Sequence, residues 1–218
     1  MNLSDLTLSS FTLSSFSVNC YVIAAKGRPD CVVVDPGLEP SQVIVAIKNS
    51  GLTPSALLIT HGHIDHIGGI AEFETEWPQT PIYIGENDKP KLADPDFNLS
   101  NYFDIPFTTH DASYAVREGE TIEVAGLSFK VLDVPGHSCG HVVYMLECEE
   151  RSIVFSGDVI FAGSVGRTDF LDGSQDVLIR NIRTKLLTLP NETLLFPGHG
   201  PATTVGREKS DNPHLIRQ

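Results

Sequence analysis

The sequence predicts an α/β fold, either as one domain or as two small ones. Short apolar runs rich in valine and isoleucine, bounded by glycine, proline or aspartate, recur along the chain as expected for buried strands. Segments with helical spacing of apolar residues alternate with these runs. With 218 residues, 41% of them hydrophobic, the chain can bury one sizeable core. We therefore favour a single domain over residues 1–218.

The first half of the chain is predicted to start with strands and then to alternate. Asp35-Pro36-Gly37 is a turn signal that leads into a predicted helix over 41–50. A strand over 56–59 follows, and a second helix is expected from about His66 to the Trp77-Pro78 pair, which ends it. The strands predicted before the first helix cover 11–16, 20–24 and 31–34.

The second half repeats this order from residue 121 onward. Its predicted elements are strands at 122–124, 127–132, 142–146 and 153–155, a helix over 176–187 and a last strand at 193–196. The segment 85–119 between the halves is broken by prolines, so we expect a loop-rich cover with a short helix near its start. Its aromatic residues are expected to anchor the loop to the core, with pocket lining as the alternative: Phe97, Tyr102, Phe103 and Phe107.

The stretch 61–66, with the sequence HGHIDH, carries the strongest chemical signal. Four of its six residues are metal-ligand types, and it follows a predicted strand. Alternate residues of an extended strand share a face, so His61 and His63 are placed to bind one ion. A tight turn directly after them lets Asp65 and His66 reach a second ion. The alternative is a solvated polar loop, but so many ionisable groups are crowded unless a cation lies among them.

Three further turns each place one ligand-type side chain after a short apolar run. His137 and His199 each follow Pro-Gly, and Asp158 follows Ser-Gly. Glycine at these turns permits close backbone approach and unusual dihedral angles. Each turn alone is a weak signal, since a single histidine is more often structural. Together with the stretch 61–66, they supply ligands for two ions.

These motifs resemble those of the metallo-β-lactamase superfamily, and within it the glyoxalase II-like branch of hydroxyacylglutathione hydrolases and their short bacterial relatives. The matching residues cover most of the chain and include Asp35, the stretch 61–66, His137, Asp158, the segment 163–170 and His199. The resemblance implies an αββα sandwich, in which two mixed β-sheets pack together with helices on their outer faces. It places the metals at one edge of the sandwich, where Gly68 and Gly69 would let a helix approach them.

The resemblance also implies the role of each ligand. His61, His63 and His137 would bind the first metal, Asp65, His66 and His199 the second, and Asp158 would bridge the pair. The best-known β-lactamases of the superfamily have a cysteine at the position of Asp158. A carboxylate there suits two borderline or hard ions, so we expect two divalent metal ions, zinc first, with iron or manganese as alternatives. Asp65 and Asp158 are the expected catalytic residues, and no substrate-binding residue is assigned.

The implied activity is metal-dependent hydrolysis of a thioester of the hydroxyacylglutathione type. A hydroxide bridging the two metals would attack the carbonyl carbon, with Asp65 orienting it. The leaving thiolate needs little or no general acid, while the first metal stabilises the oxyanion. Full-length glyoxalase II enzymes hold glutathione on a C-terminal helical domain, whereas 18 residues follow Gly200 here. The acyl and thiol parts of the substrate are therefore left open.

Two other functions remain as alternatives. One is a persulfide dioxygenase, in which His61, His137 and Asp158 would hold a single iron that activates oxygen. The other is a non-catalytic binding protein with the same fold. Its signature would be a lost ligand, and all seven ligand positions are filled here.

Composition limits the partners. Lys and Arg number 15 against 28 Asp and Glu, giving a net charge of −13, so we expect no nucleic acid partner. The N-terminus lacks the basic start and apolar core of a secretory signal, and no apolar run approaches the roughly 20 residues of a membrane span. The four cysteines are widely spaced without a Cys-x-x-Cys pair. We expect a cytoplasmic monomer or small homo-oligomer that acts on a small-molecule thioester.

Three residues near the expected ligands receive structural interpretations. Cys139 is expected to be a small buried residue without a redox role. Arg167 is expected to pin the loop after Asp158, with anchoring of a substrate carboxylate as the alternative. His141 is either a hydrogen-bond partner near the metals or an ordinary strand residue.

Overall fold

Two six-stranded mixed β-sheets lie at the centre of the computed structural model, which describes residues 2–216. The strands of the first sheet follow each other in space as they do in the chain: β1 (Leu6–Leu13), β2 (Val18–Ala25), β3 (Asp30–Val34), β4 (Thr53–Ile59), β5 (Ile82–Gly85) and β6 (Tyr114–Val116). Neighbours are antiparallel from β1 to β3 and parallel from β3 to β6. This part of the chain therefore forms one half of the sandwich.

The second sheet is built from the rest of the chain. Its strands and the small hairpin β11–β12 are β7 (Thr121–Val124), β8 (Leu127–Asp133), β9 (Val142–Leu146), β10 (Ile153–Gly157), β11 (Ile160–Phe161), β12 (Ser164–Val165), β13 (Leu194–Pro197) and β14 (Thr203–Thr204). The spatial order of the sheet is β14-β13-β10-β9-β8-β7. Within it, β10 and β13 are parallel and the other neighbours are antiparallel.

Helices cover the outer faces of both sheets. They are α1 (Ser41–Asn49), α2 (Ile64–Ile67), α3 (Ile70–Glu76), α4 (Gln175–Asn181) and α5 (Val205–Asp211), with 3-10 turns at Leu3–Asp5, Lys89–Ala93 and Asn101–Phe103 and a π-helical turn at Ile182–Leu186. Val43 and Phe73 pack on the first sheet, and Leu178 and Val205 pack on the second. The implied αββα sandwich is thus confirmed. Within residues 2–216, every helix is too short or too polar to cross a lipid bilayer.

Strand β3 illustrates why these apolar runs form central strands. Val32 and Val34 belong to the core between the sheets, whereas Cys31 and Val33 belong to the core beneath the helices of the first sheet. Because both faces are buried, the run is apolar at every position rather than alternating. Full burial of one such aliphatic side chain contributes about 1.5–3 kcal/mol.

The sequence-based boundaries were wrong at several places. The first strand ends at Leu13 rather than at residue 16, because Ser14 and Ser17 adopt left-handed φ values of 54° and 58° that turn the chain. Strands β5, β6 and β14 and helix α5 were missed, since each is short. The loop-rich segment 85–119 has the expected character, with two 3-10 turns and only β6 as a strand.

The helix expected from His66 is also corrected. It begins at Ile64 as α2, and Gly68-Gly69 separates it from α3. A Cβ atom at Gly69 would lie 2.2 Å from the carbonyl oxygen of Gly37, so this glycine serves close packing against the turn after β3. The two glycines therefore contact that turn and not the expected metal ligands.

The parallel strands bring their carboxyl ends to the same edge of the sandwich. β3 and β4 end there in the first sheet, and β10 and β13 end there in the second. The two sheets are joined at this edge by a bridge between Val18 and His199 and by a 2.7 Å hydrogen bond from Asn19 N to Gly198 O. Loops that follow these strands consequently converge.

Candidate metal centre

Each expected ligand lies on a loop or helix that follows a β-strand of one of the two sheets. His61 and His63 lie after β4, Asp65 and His66 in α2, His137 after β8, Asp158 after β10 and His199 after β13. His61 and His63 both lie just beyond β4, which ends at Ile59, and His63 keeps an extended backbone. The structure brings all seven side chains together, in the two sets implied by the resemblance. Their role as ligands remains a prediction.

The first set consists of three imidazole nitrogens facing one another. His61 Nε2 lies 3.1 Å from His63 Nδ1 and 3.2 Å from His137 Nε2, and His63 Nδ1 lies 3.0 Å from His137 Nε2. Tetrahedral zinc with normal Zn–N bonds places ligand nitrogens about 3.3–3.4 Å apart. The triangle of nitrogens is therefore close to the size that one metal ion requires.

The second set combines one carboxylate with two imidazoles. His199 Nε2 lies 3.2 Å from Asp65 Oδ2, and His66 Nε2 lies 3.7 Å from the same oxygen. Asp158 lies between the two sets. Its Oδ1 is 3.4 Å from His66 Nε2, and its Oδ2 is 3.5 Å from His199 Nε2 and 3.6 Å from His137 Nε2. One carboxylate thus contacts both sets, as a bridging ligand must.

Three buried atoms of the expected ligands lack a hydrogen-bond partner within the described chain. They are His63 Nε2 and, facing each other between the two sets, His66 Nε2 and Asp158 Oδ1. Buried polar atoms in native proteins are almost always paired, so each points to a partner outside the chain. Imidazole nitrogens with carboxylate oxygens form a donor set suited to zinc, iron or manganese. The residues present therefore fit a pair of divalent metal ions.

The two sets differ in their electrostatics. Burial, reinforced by neighbouring imidazoles, holds the pKa values of His61 and His63 well below the ordinary value, so both imidazoles are neutral. Burial alone would also lower the pKa of His66, but the carboxylates of Asp65 and Asp158 raise it well above the ordinary value. Burial would raise the pKa of Asp158, yet the adjacent His66 imidazole lowers it. The second set is consequently the one that attracts positive charge more strongly.

A buried carboxylate behind the centre orients its histidines. Asp35, in a left-handed conformation with φ of 51°, accepts hydrogen bonds from Thr60 N and Thr60 Oγ1, both at 2.8 Å, and its Oδ2 lies 2.9 Å from His66 Nδ1. Thr60 Oγ1 lies 3.2 Å from His61 Nδ1. A protonated Nδ1 on each ring leaves Nε2 free to bind a metal. His137 Nδ1 similarly donates to the carbonyl oxygen of Arg167 at 2.7 Å.

The sequence model of the Metallo-beta-lactamase superfamily matches residues 14–199. The chain belongs to the metallo-β-lactamase superfamily. A probable metallo-hydrolase of Bacillus subtilis, YqgX, is 40% identical over 198 residues, which cover 90% of this chain and 92% of that protein. The hydroxyacylglutathione hydrolase GloC of Haemophilus influenzae is 36% identical over 202 residues, with 90% and 92% covered. Membership in this superfamily supports a metal-dependent hydrolase.

Solved structures of the superfamily share the fold. The crystal structure of BLEG-1 B3 metallo-beta-lactamase has a TM-score of 0.91 and 34% identity, covering 97% of this chain and all of that one. TTHA1623 in a di-iron-bound form has a TM-score of 0.82 and 34% identity, with 95% and 100% covered. ETHE1 from Myxococcus xanthus has a TM-score of 0.78 and 29% identity, with 95% and 83% covered.

The metallo-β-lactamase centre opens into a cleft of about 370 Å³. Its walls are mainly apolar, and Phe170 lies directly beside the first set, with its ring centroid 5.0 Å from that of His63. Phe103 lines the cleft and packs edge-on against Phe16 at 4.9 Å, so its interpretation as a core anchor was wrong. Phe107 does pack against the core. Besides the expected ligands, the lining residues are Phe16, Leu99, Phe103, Phe161, Ser164, Val165, Arg167 and Phe170.

The structure distinguishes the interpretations given to the neighbouring residues. The side chain of Arg167 pairs with Asp169 through two contacts of 2.7 and 2.6 Å, and its backbone carbonyl holds His137, which supports the structural role. His141 precedes β9, and its Nε2 accepts a 3.0 Å hydrogen bond from Asp158 N, so it supports the bridging residue. Cys139 is only half-buried, and burial followed by the charge of Asp88 raises the pKa of its thiol to about 12.

Proposed function

We propose that this protein is a dinuclear metal-dependent hydrolase that cleaves thioesters of the hydroxyacylglutathione type. The observation that carries the proposal is the pair of ligand sets joined by Asp158 at the base of one cleft. Similarity to GloC supports the substrate class. Zinc is the proposed metal, with iron or manganese as alternatives, because the donor set accepts all three. The di-iron form of TTHA1623 supports keeping iron among them.

Two bound metal ions would supply a water of lowered pKa and would polarise the scissile carbonyl. The protein's own residues would orient the reactants around them. Asp65 lines the cleft with its Oδ2 close to His199, and this carboxylate is the group that would align the attacking water. The apolar walls would exclude bulk water from the reacting carbonyl. A thiolate leaves without a proton donor, which fits a cleft with few acidic or basic groups beyond the ligands.

A persulfide dioxygenase is the second candidate function. The similarity to ETHE1 favours it, and His61, His137 and Asp158 could hold a single iron. A single iron would leave Asp65, His66 and His199 without a role, although their ligand atoms also converge, with His66 and His199 at 3.7 and 3.2 Å from Asp65 Oδ2. The convergence of all seven side chains likewise speaks against a non-catalytic binding protein.

Elemental analysis combined with two activity assays tests the proposal. Purified protein should contain two metal ions per chain and should hydrolyse S-D-lactoylglutathione. Oxidation of glutathione persulfide is the first counter-assay, and hydrolysis of benzylpenicillin is the second because of the likeness to BLEG-1. One iron per chain with oxygen consumption would move the assignment to the dioxygenase. Hydrolysis of penicillin in place of the thioester would reject the substrate class and retain the metal centre.

We also propose that the protein works in the cytoplasm on a small-molecule substrate, as a monomer or small homo-oligomer without nucleic acid or membrane partners. The four cysteines, all within the described residues, are unpaired, which suits a reducing compartment. Cell fractionation and light scattering of the purified protein check the location and the oligomeric state.

A further inference from the structure

A buried carboxylate outside the metal centre holds the loops that carry the first set of histidines. Asp88 has no exposed surface. Its Oδ2 accepts hydrogen bonds from Gly62 N and Ser138 Oγ, both at 2.8 Å, and its Oδ1 accepts one from Gly140 N at 2.7 Å. Gly62 lies between His61 and His63 in the chain, and Ser138 directly follows the third histidine. Asp88 therefore binds within one residue of every member of the first set.

The charge of Asp88 is balanced by a buried lysine from the next turn. The Lys91 ammonium, also without exposed surface, lies 3.4 Å from Asp88 Oδ1 and 2.8 Å from Asp172 Oδ2. It also lies 4.7 Å from the ring centroid of Phe97. Asp88, Cys139 and Asp172 are spaced like metal ligands, but this ammonium already provides their cation. The cluster is thus an internal ion-pair network and not a third metal site.

Two glycines allow the loops to press against this segment. A Cβ atom at Gly62 would lie 2.6 Å from Lys91 Cβ, and one at Gly140 would lie 2.1 Å from Asp88 N. Both separations are shorter than real Cβ contacts allow, so the loops have no room to shift toward the network. The loops at Gly62 and Gly140 are therefore held against Asp88 by close packing as well as by hydrogen bonds.

The segment that holds these loops also forms part of the substrate cleft. Asn98 O accepts a 2.9 Å hydrogen bond from Ile64 N, at the start of α2, and Leu99 and Phe103 line the cleft. The loop-rich cover 85–119 is consequently hydrogen-bonded to the stretch 61–66 at both Gly62 and Ile64.

We propose that Asp88 is a positioning residue for the first metal ion. Its hydrogen bonds fix the loops that carry His61, His63 and His137, so that the imidazole nitrogens face one another before a metal binds. Without this carboxylate, binding would have to order two loops, and affinity would fall accordingly. The proposal rests on the metal centre of the proposed function and not on the thioester substrate. Its readout is metal affinity, so either proposal can fail without the other.

The test measures zinc affinity at one set at a time, by competition with a chromophoric chelator. His199→Ala leaves only the first set whole, and His63→Ala leaves only the second. Adding Asp88→Asn should weaken zinc binding about 10–100-fold in the His199→Ala background and less than about threefold in the His63→Ala background. Unchanged affinity in the first background, or equal weakening in both, would overturn the proposal, because a general loss of structure affects both sets alike.

Glu208→Gln is the matched control. Glu208 is a buried carboxylate, 1% exposed, that accepts hydrogen bonds from Gly163 N at 2.9 Å and Asn212 Nδ2 at 2.7 Å. None of its partners adjoins an expected ligand, so zinc affinity should stay unchanged in both backgrounds. If Asp88→Asn fails to fold, Ser138→Ala tests the proposal instead. It removes one hydrogen-bond donor to Asp88 and leaves the Asp88–Lys91 ion pair intact. It should weaken zinc binding in the His199→Ala background at least about threefold, and unchanged affinity would reject the proposal.

Discussion

Asp158 is the residue on which the proposed two-metal centre depends, because its carboxylate contacts both ligand sets. It follows Gly157, whose φ of 47° ends β10 and turns the chain toward the cleft. Its backbone N–H is held by His141, and its Oδ1 is otherwise unpaired. These backbone contacts orient the Asp158 side chain before a metal ion binds, as a bridging ligand requires.

Asp158→Ala should therefore lower metal content below two ions per chain and reduce kcat/KM for S-D-lactoylglutathione by more than about 100-fold. This loss exceeds what removal of a supporting hydrogen bond typically costs. Metal analysis and steady-state kinetics measure it. Asp169→Ala, at an exposed carboxylate on the neighbouring loop, is the control and should retain both metals. Near wild-type turnover by Asp158→Ala would rule out the two-metal mechanism.

Cys139 should react slowly with alkylating reagents. Its pKa of about 12, against an ordinary 9.0, leaves roughly a thousandth of the usual thiolate at pH 8. The alkylation rate, followed by mass spectrometry, should rise about tenfold for each pH unit between 8 and 10. Cys139→Ala should leave hydrolysis largely intact. Rapid modification at pH 8, or a variant without activity, would contradict the structural role of this thiol.

At the scale of elements, the cover segment 85–119 forms one wall of the cleft. Phe103 belongs to the 3-10 turn Asn101–Phe103, is 37% exposed and packs against Phe16 from the β1–β2 turn. Two elements from distant parts of the chain thus meet through one aromatic pair at the cleft. Such a pair offers apolar contact to a substrate but no group that takes part in chemistry.

Phe103→Ala should accordingly raise KM about three- to tenfold and leave kcat nearly unchanged. Contacts made equally in the ground state and the transition state affect KM alone. Tyr102→Ala is the control, because Tyr102 is 78% exposed and is not part of the cleft lining. Steady-state kinetics on the thioester distinguish the two. A fall in kcat for Phe103→Ala would mean that this ring also positions reacting groups.

The junction of α2 and α3 depends on glycine for its packing. A methyl group at Gly69 would overlap the Gly37 carbonyl, so Gly69→Ala should destabilise the fold by about 1–3 kcal/mol. Gly206→Ala, in α5, is the control. Its Cβ would meet Asn191 at 3.0 Å, and the gain of about 1 kcal/mol in helix propensity offsets that contact. Urea unfolding measures both, and equal stability of the two variants would contradict the packing role of Gly69.

The sequence predicts the elements that local patterns determine. Several elements were located to within a residue or two because apolar runs and turn residues mark them in the sequence. They are helix α1, strands β2, β3 and β9 and the ligand-bearing turns. The implied ligand sets also converge as the resemblance required. The located elements share one cause, since apolar runs and turn glycines act over a few residues, whereas the convergence of the ligand sets followed from the family resemblance and not from local pattern.

What the sequence missed depends on contacts between distant segments. Asp88 lies in a proline-broken stretch with no local signal, and its partners are 26, 50 and 52 residues away. Strand β6 has three residues and exists because β5 pairs with it. Phe103 was expected to anchor the loop to the core, because no neighbouring residue in the sequence indicates that its ring lines a cleft. Long-range pairing, rather than composition, decides each of these cases.

At the scale of the whole molecule, protons on His66 and His199 balance the carboxylate charges of the centre in the metal-free protein. Burial opposes protonation of His199, but the hydrogen bond to Asp65 raises its pKa, and the pKa of His66 is raised by its carboxylate neighbours. Both imidazolium groups contribute stability that is fully present below their ordinary pKa of 6.5 and is lost as pH rises through the raised values. Metal ions compete with these protons for the same nitrogens.

At pH 7.5 the buried histidines of lowered pKa are neutral in the folded protein and largely neutral in the unfolded one, so His66 and His199 dominate the pH dependence above it. Without metal, the protein should therefore be more stable at pH 7.5 than at pH 9, whereas added zinc should stabilise it more at pH 9. At a thousandfold excess over Kd, zinc should add about 4 kcal/mol to the free energy of unfolding. Thermal unfolding of chelator-treated and zinc-loaded protein at both pH values measures this. His199→Ala should reduce the difference between the pH values, and equal zinc stabilisation at pH 7.5 and pH 9 would contradict competition with protons.

One ligand of the centre comes from near the end of the chain and contacts the turn between the first two strands. The centre can therefore be completed only late in synthesis. His199 Nδ1 lies 3.2 Å from Ser17 O, a contact across 182 residues. A growing chain leaves the ribosome at about 5–20 residues per second, and pairing over such separations is slow. The last ligand of the first set, His137, emerges well before His199, which completes the second. A nascent chain would thus carry the three histidines of the first set before β13, inserted beside β10, brings His199 to the second, so under the proposed two-metal function the first set would be available to an ion earlier.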